Sequence, residues 1–311
     1  MRLANLRRGD ALVPAVLVDD GIYELRLGLD SVTDEPGLIG SGPALLFDLA
    51  IASGIPEMAE SLQNAIVRGR LPEHSVDELG PPITRPGKII CVGRNYASHA
   101  RELGHDVPTQ PILFAKFATA IIGPRDDIVR PVGVDDLDYE GELGVIIGRG
   151  GRHIARERAL DYVAGYCCAN DVSARTAQLD SGDQWLRGKS FDTFCPLGPA
   201  LVTRDEVPDP QALRIRTWVD GDLRQDDSTA NMIFDVATLI SYSSDAFTLE
   251  PGDIILTGTP PGVAMGRTPP LWLEPGQLCE VEIEGLGRIA NRIVAEPPEA
   301  VPDARATLQP R

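Results

Sequence analysis

From about residue 85 to residue 290 the chain is cut by glycine and proline into short apolar runs, and this punctuation constrains the fold more than any other feature. KIICVG, ELGVIIG, YCCAND, ALVTR, LRIRTWVDG, DIILTG and LCEVEIEGLG have the length and apolar content of strands. Between them only ASHARELG and DVATLISYSSDAF carry helical spacing. So many strands with so few crossover helices point to a mostly antiparallel or mixed β architecture and exclude a doubly wound parallel sheet.

The first part of the chain reads differently. ALVPAVLVDDGIYEL places two apolar runs around Asp19-Asp20-Gly21, a hairpin signal. PALLFDLAIASG and PEMAESLQNAIVRG have helical spacing, the second with Pro56 suited to a first helical position. A Pro-rich connector, GPPITRPG, follows at residues 80–87. We therefore expect a mixed α+β chain, predominantly β: a small N-terminal α/β domain over 1–78, a β-rich domain over 79–296, and a flexible polar tail over 297–311.

Charge narrows the function classes. With a net charge of −17 the chain repels phosphate backbones and anionic lipid, which argues against nucleic-acid and membrane partners and favours cations. Cys91, Cys167, Cys168, Cys195 and Cys279 sit in apolar stretches and are odd in number, so they read as buried thiols of a reducing compartment. MRLANLRRGD lacks an apolar leader, and no apolar run reaches the about 18 residues of a membrane span, so a cytoplasmic location is expected.

Asp138-Tyr139-Glu140-Gly141-Glu142 runs straight into the strand-like LGVII. On a strand, alternate residues share a face, so Glu140 and Glu142 project toward one region. Asp171, at the end of YCCAND, can converge on the same point. Three carboxylates without a His or Cys ligand pattern suit a hard divalent cation, Mg²⁺, Mn²⁺ or Ca²⁺. A solvent-facing alternating strand gives the same spacing and is the commoner source of it. In GRNYASHARE, His99 and Glu102 are neighbours at i, i+3, where a carboxylate orients the ring for proton transfer, although surface His–Glu pairs share that spacing. His74, His105 and His153 lie in polar contexts that suggest no role. SGDQWLRGKS fails as a phosphate loop, since five residues rather than four separate Gly182 from Gly188-Lys189-Ser190. Lys189, between Trp185 and Phe191, is equally a functional cation or a lysine lying over aromatics. The turn GTPPGV after DIILT exposes N–H groups and a hydroxyl suited to gripping a carboxylate, or is simply a stiff turn.

Taken in order, IICVGRNYASHARELG, ILFAKFATAIIGP, LDYEGELGVIIG, NDVSARTAQ, RGKSFDTFCPLGP and LEPGDIILTGTPPGV closely resemble the fumarylacetoacetate hydrolase family over about residues 85–290. The chain is similar to the longer members with an extra N-terminal domain. The resemblance implies a β-roll catalytic domain, a homodimer, and a site for Mg²⁺ or Mn²⁺. It implies that Glu140, Glu142 and Asp171 hold the metal, and that His99 and Glu102 form a His–Glu pair on a lid. Lys189 matches the active-site lysine, Arg175 and Gln178 match substrate-side positions, and Thr259 matches a carboxylate-gripping threonine. The expected activity is metal-dependent hydrolysis of a C–C bond in a 2,4-dioxo acid of acylpyruvate, fumarylpyruvate or diketo-deoxy sugar acid type. The same chemistry also supports an oxaloacetate-type decarboxylase, or an isomerase, tautomerase or hydratase of 2-oxo acids in aromatic catabolism. A non-catalytic metal-dependent metabolite-binding protein is the alternative of another class.

Overall fold

The computed structural model describes residues 1–9, 11–18, 21–24, 73–180, 182 and 184–297. The helices expected over 43–54 and 56–69, and the tail beyond residue 297, lie outside the described residues. Within them the chain is predominantly β. A twelve-stranded sheet runs, edge to edge, through Glu73–His74, Gly21–Glu24, Ala11–Val18, Arg2–Arg8, Cys195–Thr203, Val163–Asn170, Gly141–Ile147, Ile254–Leu256, Ile89–Gly93 and Ile112–Lys116. Leu79–Gly80 and Ile121–Ile122 attach beside this path. The sheet is mixed, as expected: most pairings are antiparallel, while Ile254–Leu256 runs parallel to Ile89–Gly93. A five-stranded sheet joins Asp222–Ser228, Arg214–Val219, Leu278–Ile283, Gly287–Ala295 and Ile128–Arg130.

The hairpin read from ALVPAVLVDDGIYEL forms, with Val18 paired to Gly21. The sheet also crosses the expected boundary at residue 78, because Leu3 pairs with Leu201 and Asn5 with Gly80. Pairing with the strands of the β-rich part satisfies backbone groups that a separate small sheet would leave exposed.

The two central strands, Gly141–Ile147 and Val163–Asn170, are buried along their whole length. Their alternation therefore divides residues between two cores, not between core and water. Leu143, Val145 and Ile147 join Tyr166, Cys168, Ile215, Val281 and the helix residues Leu239 and Ile240. Ile146, Cys167 and Ala169 face the other way, toward Cys91, Cys195 and Phe194. The helix Val236–Ala246 is capped by Asp235, whose carboxylate accepts from the Thr238 N–H. Glu142 shares the side of Ile146, so following the strand backwards leads out of a dry core into a polar pocket at its N-terminal end.

Candidate active site

Glu140 lies just before the strand Gly141–Ile147, Glu142 is its second residue, and Asp171 follows the antiparallel neighbour Val163–Asn170. The pairing of Gly141 with Asn170 sets these ends side by side. One oxygen from each of Glu140, Glu142 and Asp171 then lies within 4.8 Å of the others, and all three residues are buried.

Burying three carboxylates together requires compensation. Most of it comes from a chain of alternating charge. The Arg175 guanidinium lies 2.7 Å from both Asp138 and Glu140. The Lys189 ammonium donates to Glu140 at 2.7 Å and to Asp171 at 2.9 Å, and Lys116 donates to the other Asp171 oxygen at 2.6 Å. Burial works against the ionised form of Glu140, but Lys189 and Arg175 hold it well below the usual carboxylate range. Lys189 is likewise opposed by burial, yet Asp171 and Glu140 raise it above its ordinary value.

Glu142 is left out of this chain. Only the Gly258 N–H bonds to it, at 2.8 Å, and no ion pair reaches it among the described residues. Burial, with the charges of Asp171 and Glu140 beside it, pushes its carboxyl well up. Four carboxylates thus meet three cations, and the missing positive charge is at Glu142. An all-oxygen donor set with this deficit fits a divalent cation, which would bring the cluster to a net positive charge suited to an anionic ligand.

The helix Ala97–Glu102 follows the strand Ile89–Gly93 and carries the His–Glu pair. His99 Nδ1 lies 3.3 Å from Glu102, and His99 is buried. Glu102 is held in turn by the Gly262 N–H at 2.9 and 3.1 Å. The segment Thr257–Val263 therefore grips carboxylates, but they are the chain's own: Gly258 holds Glu142 and Gly262 holds Glu102. Both glycines have positive φ, 95° and 107°. A Cβ at Gly262 would stand 2.1 Å from the Arg224 carbonyl oxygen, so no other residue fits there unchanged. Thr259 donates its hydroxyl to Gly141 O at 2.9 Å and accepts from Gln225 at 2.8 Å.

His99, Glu140, Glu142, Arg175, Gln178, Lys189 and Thr259 line one cavity, which holds about 460 Å³ of empty space including its mouth. Glu102 and Asp171 stand behind His99 and Lys189. Arg175 also donates to Gln178 at 3.0 Å, which fixes both side chains. The aromatic beneath Lys189 is Phe114, with the ammonium 5.2 Å from its ring centre; Trp185 instead packs edge-on against Phe114 and beneath Arg94. Neighbours in sequence were a poor guide here, because the short helix Leu186–Lys189 turns Lys189 inward.

Four further residues were not singled out. Lys116 and Asp138 complete the ion-pair chain; a lysine closing the apolar run ILFAK was the one available signal. Arg94 and His105 also line the cavity. His105 comes there because its N–H donates back to Ala100 O at 2.9 Å, and its Nε2 lies 3.1 Å from Arg94 Nη2.

The family model for the fumarylacetoacetate (FAA) hydrolase C-terminal domain matches residues 88–294. The chain belongs to the fumarylacetoacetate hydrolase family. It is 52% identical over 225 residues to the Bos taurus protein named oxaloacetate tautomerase FAHD2B, mitochondrial, covering 72% of this chain and 71% of that one. Among solved structures it resembles a fumarylacetoacetate hydrolase from Exiguobacterium antarcticum, with TM-score 0.77, 35% identity, and 95% and 100% of the two chains covered. A maleylpyruvate hydrolase from Sphingobium sp. SYK-6, solved with manganese(II) and pyruvate, matches with TM-score 0.76, 30% identity, and 96% and 100% covered.

Proposed function

We propose that the protein is a divalent-metal-dependent tautomerase that interconverts the keto and enol forms of a 2-oxo acid of the oxaloacetate type. The observation that carries this is the juxtaposition in one cavity of a proton-transfer residue, His99, with a buried acidic cluster one positive charge short. The 52% identity to a protein named oxaloacetate tautomerase supports this reaction over the others that such a site allows.

Glu140, Glu142 and Asp171 would hold Mg²⁺ or Mn²⁺. Bound there, the ion supplies Lewis-acid polarisation of the 2-oxo oxygen. With Nδ1 engaged by Glu102, His99 has Nε2 left to take a proton from the carbon next to the 2-oxo group and to return it. Lys189 places a fixed positive charge beside the developing enolate, and Arg175 and Gln178 form the adjoining wall.

The motifs also support C–C hydrolysis of a 2,4-dioxo acid, with His99 activating water in place of a carbon acid. The maleylpyruvate hydrolase neighbour supports that second reading at 30% identity. Metal-freed protein should be assayed with and without Mg²⁺ or Mn²⁺ on oxaloacetate, acetylpyruvate and fumarylpyruvate, with absorbance and product analysis. Metal-dependent enol–keto exchange of oxaloacetate without loss of carbon establishes the tautomerase. Pyruvate plus a carboxylic acid from a dioxo acid establishes the hydrolase, and pyruvate plus carbon dioxide from oxaloacetate a decarboxylase. Binding without any turnover overturns all three in favour of a metabolite-binding protein.

The proposal includes a homodimer, testable by light scattering, and a cytoplasmic location. All five cysteines are free and buried, in keeping with a reducing compartment, and no helix among the described residues is long and apolar enough to cross a membrane.

A further inference from the structure

Arg94 is the feature of the cavity that the catalytic roles leave unexplained. It follows the strand Ile89–Gly93 with φ of 56°, a left-handed conformation unfavourable for a residue with a Cβ. Asn95 holds the backbone there. Its side-chain amide donates to Phe234 O at 2.9 Å and Thr257 O at 2.7 Å, and its carbonyl oxygen accepts from the Phe234 N–H at 2.8 Å. The strain is thus fixed by a buried, fully used side chain, and its result is to direct a guanidinium to the cavity wall.

The guanidinium carbon stands 5.4 Å from the centre of the Trp185 ring, and Nη2 lies 3.1 Å from His105 Nε2. Arg175 and Lys189, the other two permanent cations lining the cavity, are each shared between two carboxylates. Arg94 forms no ion pair with any carboxylate among the described residues. A half-buried guanidinium, stacked on an indole and lacking an anionic partner, keeps N–H groups for a planar, bidentate acceptor.

We propose that Arg94, held by Trp185 and His105, is the subsite for the second carboxylate of the substrate, so that the enzyme selects 2-oxo dicarboxylic acids over monocarboxylic ones. This rests on the reading of the cavity as a 2-oxo acid site. The carboxylate and 2-oxo group occupy the acidic-cluster end, and the distal carboxylate pairs with Arg94.

Pyruvate and oxaloacetate differ only in that second carboxylate, so they test the subsite directly. The Mg²⁺-loaded protein and its R94Q, R94K and R94G variants are titrated with each by calorimetry, and oxaloacetate turnover is measured in parallel. The wild type should prefer oxaloacetate, and R94Q should lose about ten- to hundredfold of that preference, the scale of a charge-assisted hydrogen-bonded pair. R94K should retain part of it. Glycine suits the positive φ, so R94G keeps the fold free of strain and should behave like R94Q. In turnover the loss should fall on KM and not on kcat. An unchanged preference in R94Q and R94G, or an equal loss for both ligands, overturns the assignment. Binding reports independently of catalysis. A preference that collapses in R94Q supports the subsite even if oxaloacetate is not tautomerised. A wild type that binds neither compound refutes the 2-oxo acid reading and the subsite with it.

Discussion

Replacing Glu142 by Gln should stabilise the metal-free protein at neutral and alkaline pH while abolishing its response to metal. The three cluster oxygens lie within 4.8 Å of one another. Two unit charges at that distance repel by about 3.5 kcal/mol at an effective dielectric constant of about 20. Lys189 offsets part of this, since its ammonium serves both Glu140 and Asp171. Glu142 faces two such neighbours and is buried, so we expect a net penalty on the order of a few kcal/mol for ionising it in the metal-free fold.

The sign follows from linkage. Burial and the neighbouring charges of Asp171 and Glu140 raise the Glu142 carboxyl in the folded state above its unfolded value. The folded protein then binds the proton more tightly, and the associated stability is fully present below the unfolded value. It is lost as pH rises through the raised one. Gln keeps a carbonyl oxygen for the Gly258 N–H but has no proton to lose. Urea denaturation in a chelator across pH 5–9 should show the wild type losing stability toward high pH and the variant lacking that loss. Saturating Mn²⁺ should restore the wild type, by an amount that grows with the ratio of free metal to its dissociation constant, and leave the variant unmoved. Parallel chelator curves would refute the account of Glu142, and a variant stabilised by Mn²⁺ like the wild type would refute its role as a ligand.

H99A should lower turnover by about 10²- to 10⁴-fold, the usual share of a general base, while Mn²⁺ still stabilises the protein against urea; unchanged turnover would remove His99 from the chemistry. G262A should be destabilised by at least about 2 kcal/mol in urea and should also lose activity, because the Arg224 carbonyl must move and Glu102 loses its anchor. K116M should cost about 3–5 kcal/mol, since it strands one oxygen of a fully buried Asp171; a near-neutral result would mean water already solvates that oxygen. D235A should cost about 1 kcal/mol through the lost helix cap and the Arg156 ion pair, with kcat and KM unchanged.

Two candidate pairs, Glu140 with Glu142 and His99 with Glu102, were legible in the sequence because each belongs to a local pattern, whereas Arg175 and Gln178 were marked only by the family resemblance. The i, i+2 spacing of Glu140 and Glu142 and the i, i+3 spacing of His99 and Glu102 are properties of a strand and a helix, and both elements form where the sequence places them. The hydrophobic runs likewise specify strands and a mixed sheet, because turn residues and apolar periodicity act over a few residues. What local pattern does not carry is compensation between distant segments. That Glu142 is the carboxylate left without a cation depends on Lys116, Arg175 and Lys189 arriving from three other elements. That the GTPPGV turn spends its N–H groups on Glu142 and Glu102 depends on where two separate segments pack against it. Arg94 and His105 are the clearest case. They flank the His99–Glu102 pair in sequence, but no local pattern aims either of them at a ligand, and only the pinning of Asn95 by Phe234 and Thr257 turns a loop arginine toward the cavity. The sequence by itself determined which groups are available, because propensity and periodicity are local. The tertiary structure alone decided which charges are balanced and which are left free, because electrostatic and hydrogen-bond partners are chosen by the packing of residues remote in sequence.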